Sequence, residues 1–190
     1  QSAGANDTWN TSVGINALDS LDNSTGTYNT AVGYDTLQSV TSGGFNTALG
    51  AGALETLTTG GANTAVGTGA FNDYDGAGAA YNTALGTNTG YNMTSGLYNT
   101  FLGGRAAYGT PGDYTGSDYN TIIGMEAAEN LNSNSDYNTI LGYQAGRNMT
   151  GGADGNIFLG YKAGYYELES NKLVIENTDS LTAPLIFGDF

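Results

Sequence analysis

Chemistry in this chain must come from carboxylates, hydroxyls and aromatic rings, because its 190 residues include no His and no Cys. His-based triads, thiol nucleophiles and disulfides are thereby excluded, as are most zinc and copper sites. Closely spaced acids remain: Asp73 with Asp75, Glu126 with Glu129, and Glu167 with Glu169. A carboxylate pair can hydrolyse a glycosidic bond when held across it. Asp73 and Asp75, in the run Asn72-Asp73-Tyr74-Asp75-Gly76, could instead offer clustered oxygens to calcium. The full EF-hand spacing, with its later Glu, is missing, so a solvated turn accounts for the same residues. The two Glu pairs read as surface charges. No catalytic, cofactor or metal residue is assigned, and the chain is expected to be non-enzymatic.

Charge narrows the partners. Four Lys and Arg stand against 18 Asp and Glu, a formal charge of −14. Nucleic acid and anionic membrane surfaces both require a basic footprint and are disfavoured. No run of 18 apolar residues exists, so no membrane-spanning helix is expected. A composition rich in Asn, Thr, Gly, Ser and Tyr and poor in Lys points to an extracellular, virion or cell-surface location.

The residues that remain are organised by a repeat. Asn, usually Thr, two residues that are both apolar in all copies but the first, and Gly recur nine times, beginning at Asn10, Asn29, Asn46, Asn63, Asn82, Asn99, Asn120, Asn138 and Asn156. The steps are 19, 17, 17, 19, 17, 21, 18 and 18 residues, a period that marks stacked coils. Before Asn comes an aromatic in seven copies, from Trp9 to Tyr137, with Ala62 and Gly155 as the exceptions. Three after Asn is always an aliphatic, from Val13 to Leu159, and the next residue is always Gly. Seven after Asn the residue is always small, Ala or Thr.

These columns predict an all-β fold: a β-roll-like β-solenoid of about nine short coils. Aromatic-Asn-Thr-apolar-apolar suits a short strand, and Gly ends it by entering a turn other residues resist. The Ala-Leu-x-x-Leu stretch after the turn fits either a second strand or one helical turn. Stacked strands bring like residues together, so Asn columns form amide ladders and aromatic columns stack. The aromatic column could equally take sugar rings on its faces. The invariant aliphatic is assigned to the coil interior, and Thr, sharing its strand parity, leans inward with it. The intervening column then faces outward. It changes from Ser12 and Ala31 early to Phe101, Ile122, Ile140 and Phe158 late. An outward strand face that turns apolar implies cover by another chain or sheet, hence self-association.

Asn-Thr-Ala-Val-Gly at 29–33 and 63–67 and Asn-Thr-Ala-Leu-Gly at 46–50 and 82–86 resemble the head repeats of trimeric autotransporter adhesins. The longer units, such as Tyr28 to Thr41, and the closing segment Asn156 to Phe190 look like repeats of phage tail fibres and large bacterial surface proteins. Coils of 17 to 21 residues exceed the usual autotransporter unit. The resemblance implies an extracellular fibre segment, stalk or adhesive head that assembles as a homotrimer, with surface glycans as further candidate partners. An open homopolymeric filament is the alternative, since a solenoid exposes two ends. A glycan-binding or glycan-cleaving protein of the tail-spike kind is the second alternative. The expected organisation is an N-terminal arm at 1–9, a solenoid at 10–170, and C-terminal strands at 171–190 that cap the rod or contact another subunit. The loops at 72–80, 108–118 and 150–155 are the candidate recognition segments.

Overall fold

In the computed structural model each pentapeptide becomes one rung of a single parallel sheet. The structure describes residues 9–21, 26–78, 80–112, 114–150, 152–177 and 184–189. The expected N-terminal arm therefore lies, apart from Trp9, outside the described residues. The rungs are β1 (Thr11–Val13), β2 (Thr30–Val32), β3 (Thr47–Leu49), β4 (Thr64–Val66), β5 (Thr83–Leu85), β6 (Thr100–Leu102), β7 (Thr121–Ile123), β8 (Thr139–Leu141) and β9 (Ile157–Leu159). β10 (Lys172–Ile175) continues the parallel ladder, and β11 (Ile186–Asp189) closes it antiparallel. Strand order follows chain order throughout. Thr pairs with Thr and aliphatic with aliphatic from β1 to β8, so coils of unequal length share one register. Nine coils at strand spacing make a rod roughly 40 Å long.

The strands are shorter than the sequence motif suggests. The aromatic before Asn is not extended: Trp9, Tyr28, Phe45, Ala62, Tyr81, Tyr98, Tyr119 and Tyr137 have φ between 52° and 62°. This left-handed bend turns their rings out of the coil. The Ala-Leu-x-x-Leu stretch is neither strand nor helix; it is a run of turns, and no helix occurs among the described residues. Its bends also use left-handed residues, such as Leu37, Leu54 and Phe71 eight positions after Asn. The Gly that ends each strand meets two constraints at once. Gly67 has φ +134°, and a Cβ there would stand 2.4 Å from the Gly86 carbonyl oxygen in the next coil. The glycine column stacks on itself too closely for any side chain.

The inside and outside of the strands are the reverse of the assignment made from sequence. The middle residue of each strand from β2 to β9 is fully buried, whereas Thr and the invariant aliphatic are exposed or half-exposed. The alternation was right and its phase was wrong. Asn supplies the reason. It is buried, and its side chain must reach other groups inside the coil; Thr beside it then points out, and the middle residue points in.

The middle column's drift from small to large is therefore a core effect. Eight residues after Asn, the facing side of the coil changes in the opposite sense. Buried Ala31 is matched by buried Leu37, Ala48 by Leu54 and Ala65 by Phe71, while Phe101 is matched by Ala107, Ile122 by Ala128 and Ile140 by Gly146, where a Cβ would stand 3.1 Å from Ile140 Cδ1. Except in the coil of Asn82, a large residue in one column is met by a small one in the other, as close packing demands. The crossover coil has Ala84 and Gly90, both small, and neighbouring rings fill the space. A Cβ on Gly90 would lie 2.5 Å from Phe71 Cε1 and 3.3 Å from Phe101 Cδ2. Those two rings meet at 5.8 Å between centroids. Core packing accounts for the drift, which gives no support to an outer covering.

Candidate functional site

Asn is the residue that holds successive coils together. From Asn10 to Asn138 each Oδ1 accepts the main-chain N–H of the Asn one coil on, as in Asn46 N–H to Asn29 at 2.9 Å and Asn120 N–H to Asn99 at 3.0 Å, and Asn156 Oδ1 accepts that of Lys172. The side-chain amide donates along the ladder too, Asn99 to Asn82 at 3.1 Å, and across the coil, Asn99 to the Ser117 carbonyl at 2.7 Å. The expected amide ladder exists, and it also ties the strand to the returning chain. Buried polar groups that satisfy one another in this way fix register as well as position.

On the outer side lie the groups that can meet other molecules. Thr and aliphatic columns share the solvent face of the sheet, with Val13, Leu49, Leu85, Leu102, Leu141 and Leu159 each 39% to 58% exposed. Beyond the strand, Ile15, Tyr34, Met125, Tyr143 and Tyr161 extend this apolar strip on one side. Along its other side runs the aromatic ladder. Trp9, Tyr28 and Phe45 stack in sequence, and so do Tyr81, Tyr98, Tyr119 and Tyr137. The stacking expected from sequence is present, and most of each ring's outer edge remains in solvent. Tyr91 with Tyr108 and Tyr143 with Tyr161 form further stacks that only coil-by-coil alignment beyond the pentapeptide could have found.

The acids named from sequence are not gathered into one site. Asp75 Oδ1 accepts the Thr58 N–H at 2.8 Å and its hydroxyl at 2.6 Å, fastening one coil to the next. Asp73 is half-buried, and burial, aided by Glu55, raises its pKa. Glu129 is buried rather than a surface charge: Arg105 and Arg147 reach it from adjoining coils at 2.6 and 2.5 Å. Glu126 accepts from Gln144 Nε2 at 2.6 Å. Glu167 Oε1 accepts the amides of Leu168 and Glu169, and Glu169 pairs with Lys172. Among the described residues no three acids converge as a metal would require.

Two of the candidate recognition loops also supply core. Tyr74 is buried, donates to the Gly96 carbonyl at 2.8 Å and accepts from Asn82 Nδ2; burial raises its pKa. Tyr114, within 108–118, is fully buried, and a Cβ on Gly109 would strike its ring. In that segment Pro111 and Gly112 project into solvent.

A column missed from sequence lies two before Asn. Asp118 accepts the Leu97 N–H, Asp136 that of Asp118 and Asp154 that of Asp136, at 2.7 to 2.8 Å. The spacing of these three acids carries the signal, visible once the copies are aligned. Comparison with protein-family models, curated proteins and solved structures finds no match.

Proposed function

We propose that this chain is a non-enzymatic structural segment of an extracellular fibre, in which solenoids associate side by side through the solvent face of the sheet. The observation that carries this reading is the strip of Thr and aliphatic columns, continuous over the nine rungs and flanked by exposed aromatic and apolar residues. Contiguous apolar surface of this extent is uncommon on a protein that acts alone. The face bears no Lys, Arg, Asp or Glu in the strands β1 to β9, so like charges do not oppose contact between copies despite the net charge of −14. A closed trimer is the preferred assembly, consistent with the resemblance to autotransporter heads and tail-fibre repeats. Its role would be mechanical, with stacked ladders resisting unfolding and the exposed loops and rings available for adhesion.

An open filament is the second reading. The antiparallel β11 favours the trimer over it, because that strand interrupts the parallel pattern at one end of the rod. Native mass and electron microscopy of the purified chain test the reading. A discrete trimer is expected, and Leu49→Glu with Leu85→Glu and Leu102→Glu should yield folded monomers, because the three positions are exposed. Wild-type protein that stays monomeric at high concentration would overturn the proposal, and unbounded rods would replace the trimer with the filament.

A further inference from the structure

The aromatic ladder is missing one rung. Between Phe45 and Tyr81, at the position where seven other copies carry a ring, the chain has Ala62, with φ 59° like its aromatic counterparts. In the intact stretches, rings stack at 4.9 to 5.6 Å with interplanar angles of 4° to 13°. Removing one rung leaves the faces of Phe45 and Tyr81 two strand spacings apart, roughly 9.6 Å. An open groove of about 650 Å³ takes in this gap, within the range of small-molecule sites. Gly44 and Gly61 leave its floor without side chains, and Thr27, Ser42 and Thr59 bring hydroxyls to its lining.

We propose that this slot binds a neutral pyranose, one hexose unit of a glycan, sandwiched between Phe45 and Tyr81. A pyranose presents C–H bonds, slightly positive, on both of its broad faces, and each aromatic face is slightly negative. The ring is puckered and thicker than an aromatic one, which suits a slot two coil spacings wide. Its hydroxyls point outward from the ring edge, toward Thr27, Ser42 and Thr59. No charged residue lines the groove, so it selects for neither an anion nor a cation, and the acidic chain repels anionic sugars. The walls are set in advance. The Phe45 N–H donates to the Thr27 carbonyl at 2.9 Å, that of Ala62 to Gly44 at 3.0 Å, and that of Gly61 to Gly78 at 2.7 Å. A site already ordered in this way loses little entropy on binding. The proposal adds a ligand to the fibre reading and does not depend on self-association.

The test titrates the full chain with cellotetraose, maltotetraose and mannotetraose by calorimetry, with tetragalacturonate as the anionic comparison. At least one neutral tetramer should bind with one site per chain, and tetragalacturonate should bind more weakly. Ala62→Tyr restores the rung at a backbone angle its aromatic counterparts already use. It should abolish sugar binding while leaving the circular dichroism spectrum and oligomeric state unchanged. Phe45→Ala should weaken binding about tenfold through the lost stacking face. The proposal is overturned if no neutral tetramer binds, or if binding survives Ala62→Tyr. It is also overturned if Ala62→Tyr changes the mass of the assembly, since the slot would then hold a ring of a second copy. Monomeric wild-type protein that still binds sugar would sink side-by-side association and leave the slot standing.

Discussion

The two halves of the rod solve the same packing problem from opposite sides. In the coils that begin at Asn29, Asn46 and Asn63, small residues on the strand face Leu37, Leu54 and Phe71 on the turn. In those that begin at Asn99, Asn120, Asn138 and Asn156, large residues on the strand face Ala107, Ala128, Gly146 and Gly164. The outer columns do not notice the change, and register is preserved across it. From coil to coil one of the two positions is large and the other small, except at Ala84 and Gly90, where the neighbouring rings fill the space. The halves differ in charge as well: all four cations lie between Arg105 and Lys172.

The junction of the two schemes is where a single truncation should do most damage. Phe101 fills space for its own coil and for the coil of Ala84 and Gly90. Phe101→Ala is expected to cost about 3–5 kcal/mol, read as a loss in the midpoint of chemical unfolding. A loss under about 1 kcal/mol would mean that the neighbouring coils collapse freely into the space.

Exchanging the schemes within one coil is a sharper test. Ile122→Ala alone should destabilise by about 2–4 kcal/mol. Ala128→Leu alone should also destabilise, by overpacking. Combined, they recreate the arrangement of Ala48 and Leu54, and the double variant should be more stable than the sum of the single effects predicts by about 1–3 kcal/mol. The unfolding midpoints of the four proteins decide it: additive effects would mean that the two columns do not share one space.

Charge separates the halves by less. Glu129 is buried between Arg105 and Arg147, whose side chains are half-exposed. Glu129→Gln keeps the shape and removes the charge that both arginines face. We expect a loss of about 2 kcal/mol, smaller than for a fully buried network because water reaches both arginines. Thermal unfolding at low and high salt checks it, with the gap between variant and wild type narrowing as salt rises. Glu55→Gln, in a half with no Lys or Arg, should show no such salt dependence.

The sequence carried the fold at the level of the coil but left the phase of the strand open. The period, the glycine corner, the Asn ladder and the aromatic stack all follow from repeated residue types. The inside and outside of Thr-x-aliphatic do not, because Ala on one side and Val on the other fit either face of a three-residue strand. Weighing Asn would have decided it: an amide repeated at every coil must find partners inside, and parity does the rest. The drift from Ala31 to Phe158 has its meaning only beside the column from Leu37 to Gly164, six positions further on. The missing rung at Ala62 was in plain view as an exception, yet its width and open floor depend on the stacking distance and on glycines outside the pentapeptide.

The smallest expected effect concerns the Asp column, which only the second half possesses. In the first half the same positions are Thr27, Gly44, Gly61 and Ala80. Asp136 sits between Asp118 and Asp154; burial raises its pKa, the bond from the Asp118 amide opposes this, and the two neighbouring carboxylates raise it further. A carboxyl whose pKa is higher folded than unfolded binds its proton more readily in the folded state. Its charge therefore costs stability above the folded pKa, and that cost fades as pH falls through it and is gone below the unfolded value. Asp136→Asn removes the charge but keeps an oxygen to accept the Asp118 N–H, now 2.8 Å away. The variant should be more stable than wild type at neutral pH by about 0.5 kcal/mol, or a degree or two in Tm. The advantage should shrink to nothing near pH 3, where the wild-type carboxyl is itself protonated. An advantage that persists undiminished at low pH would assign the effect to packing or to hydrogen-bond geometry, and the column would then be a ladder whose charge does not matter.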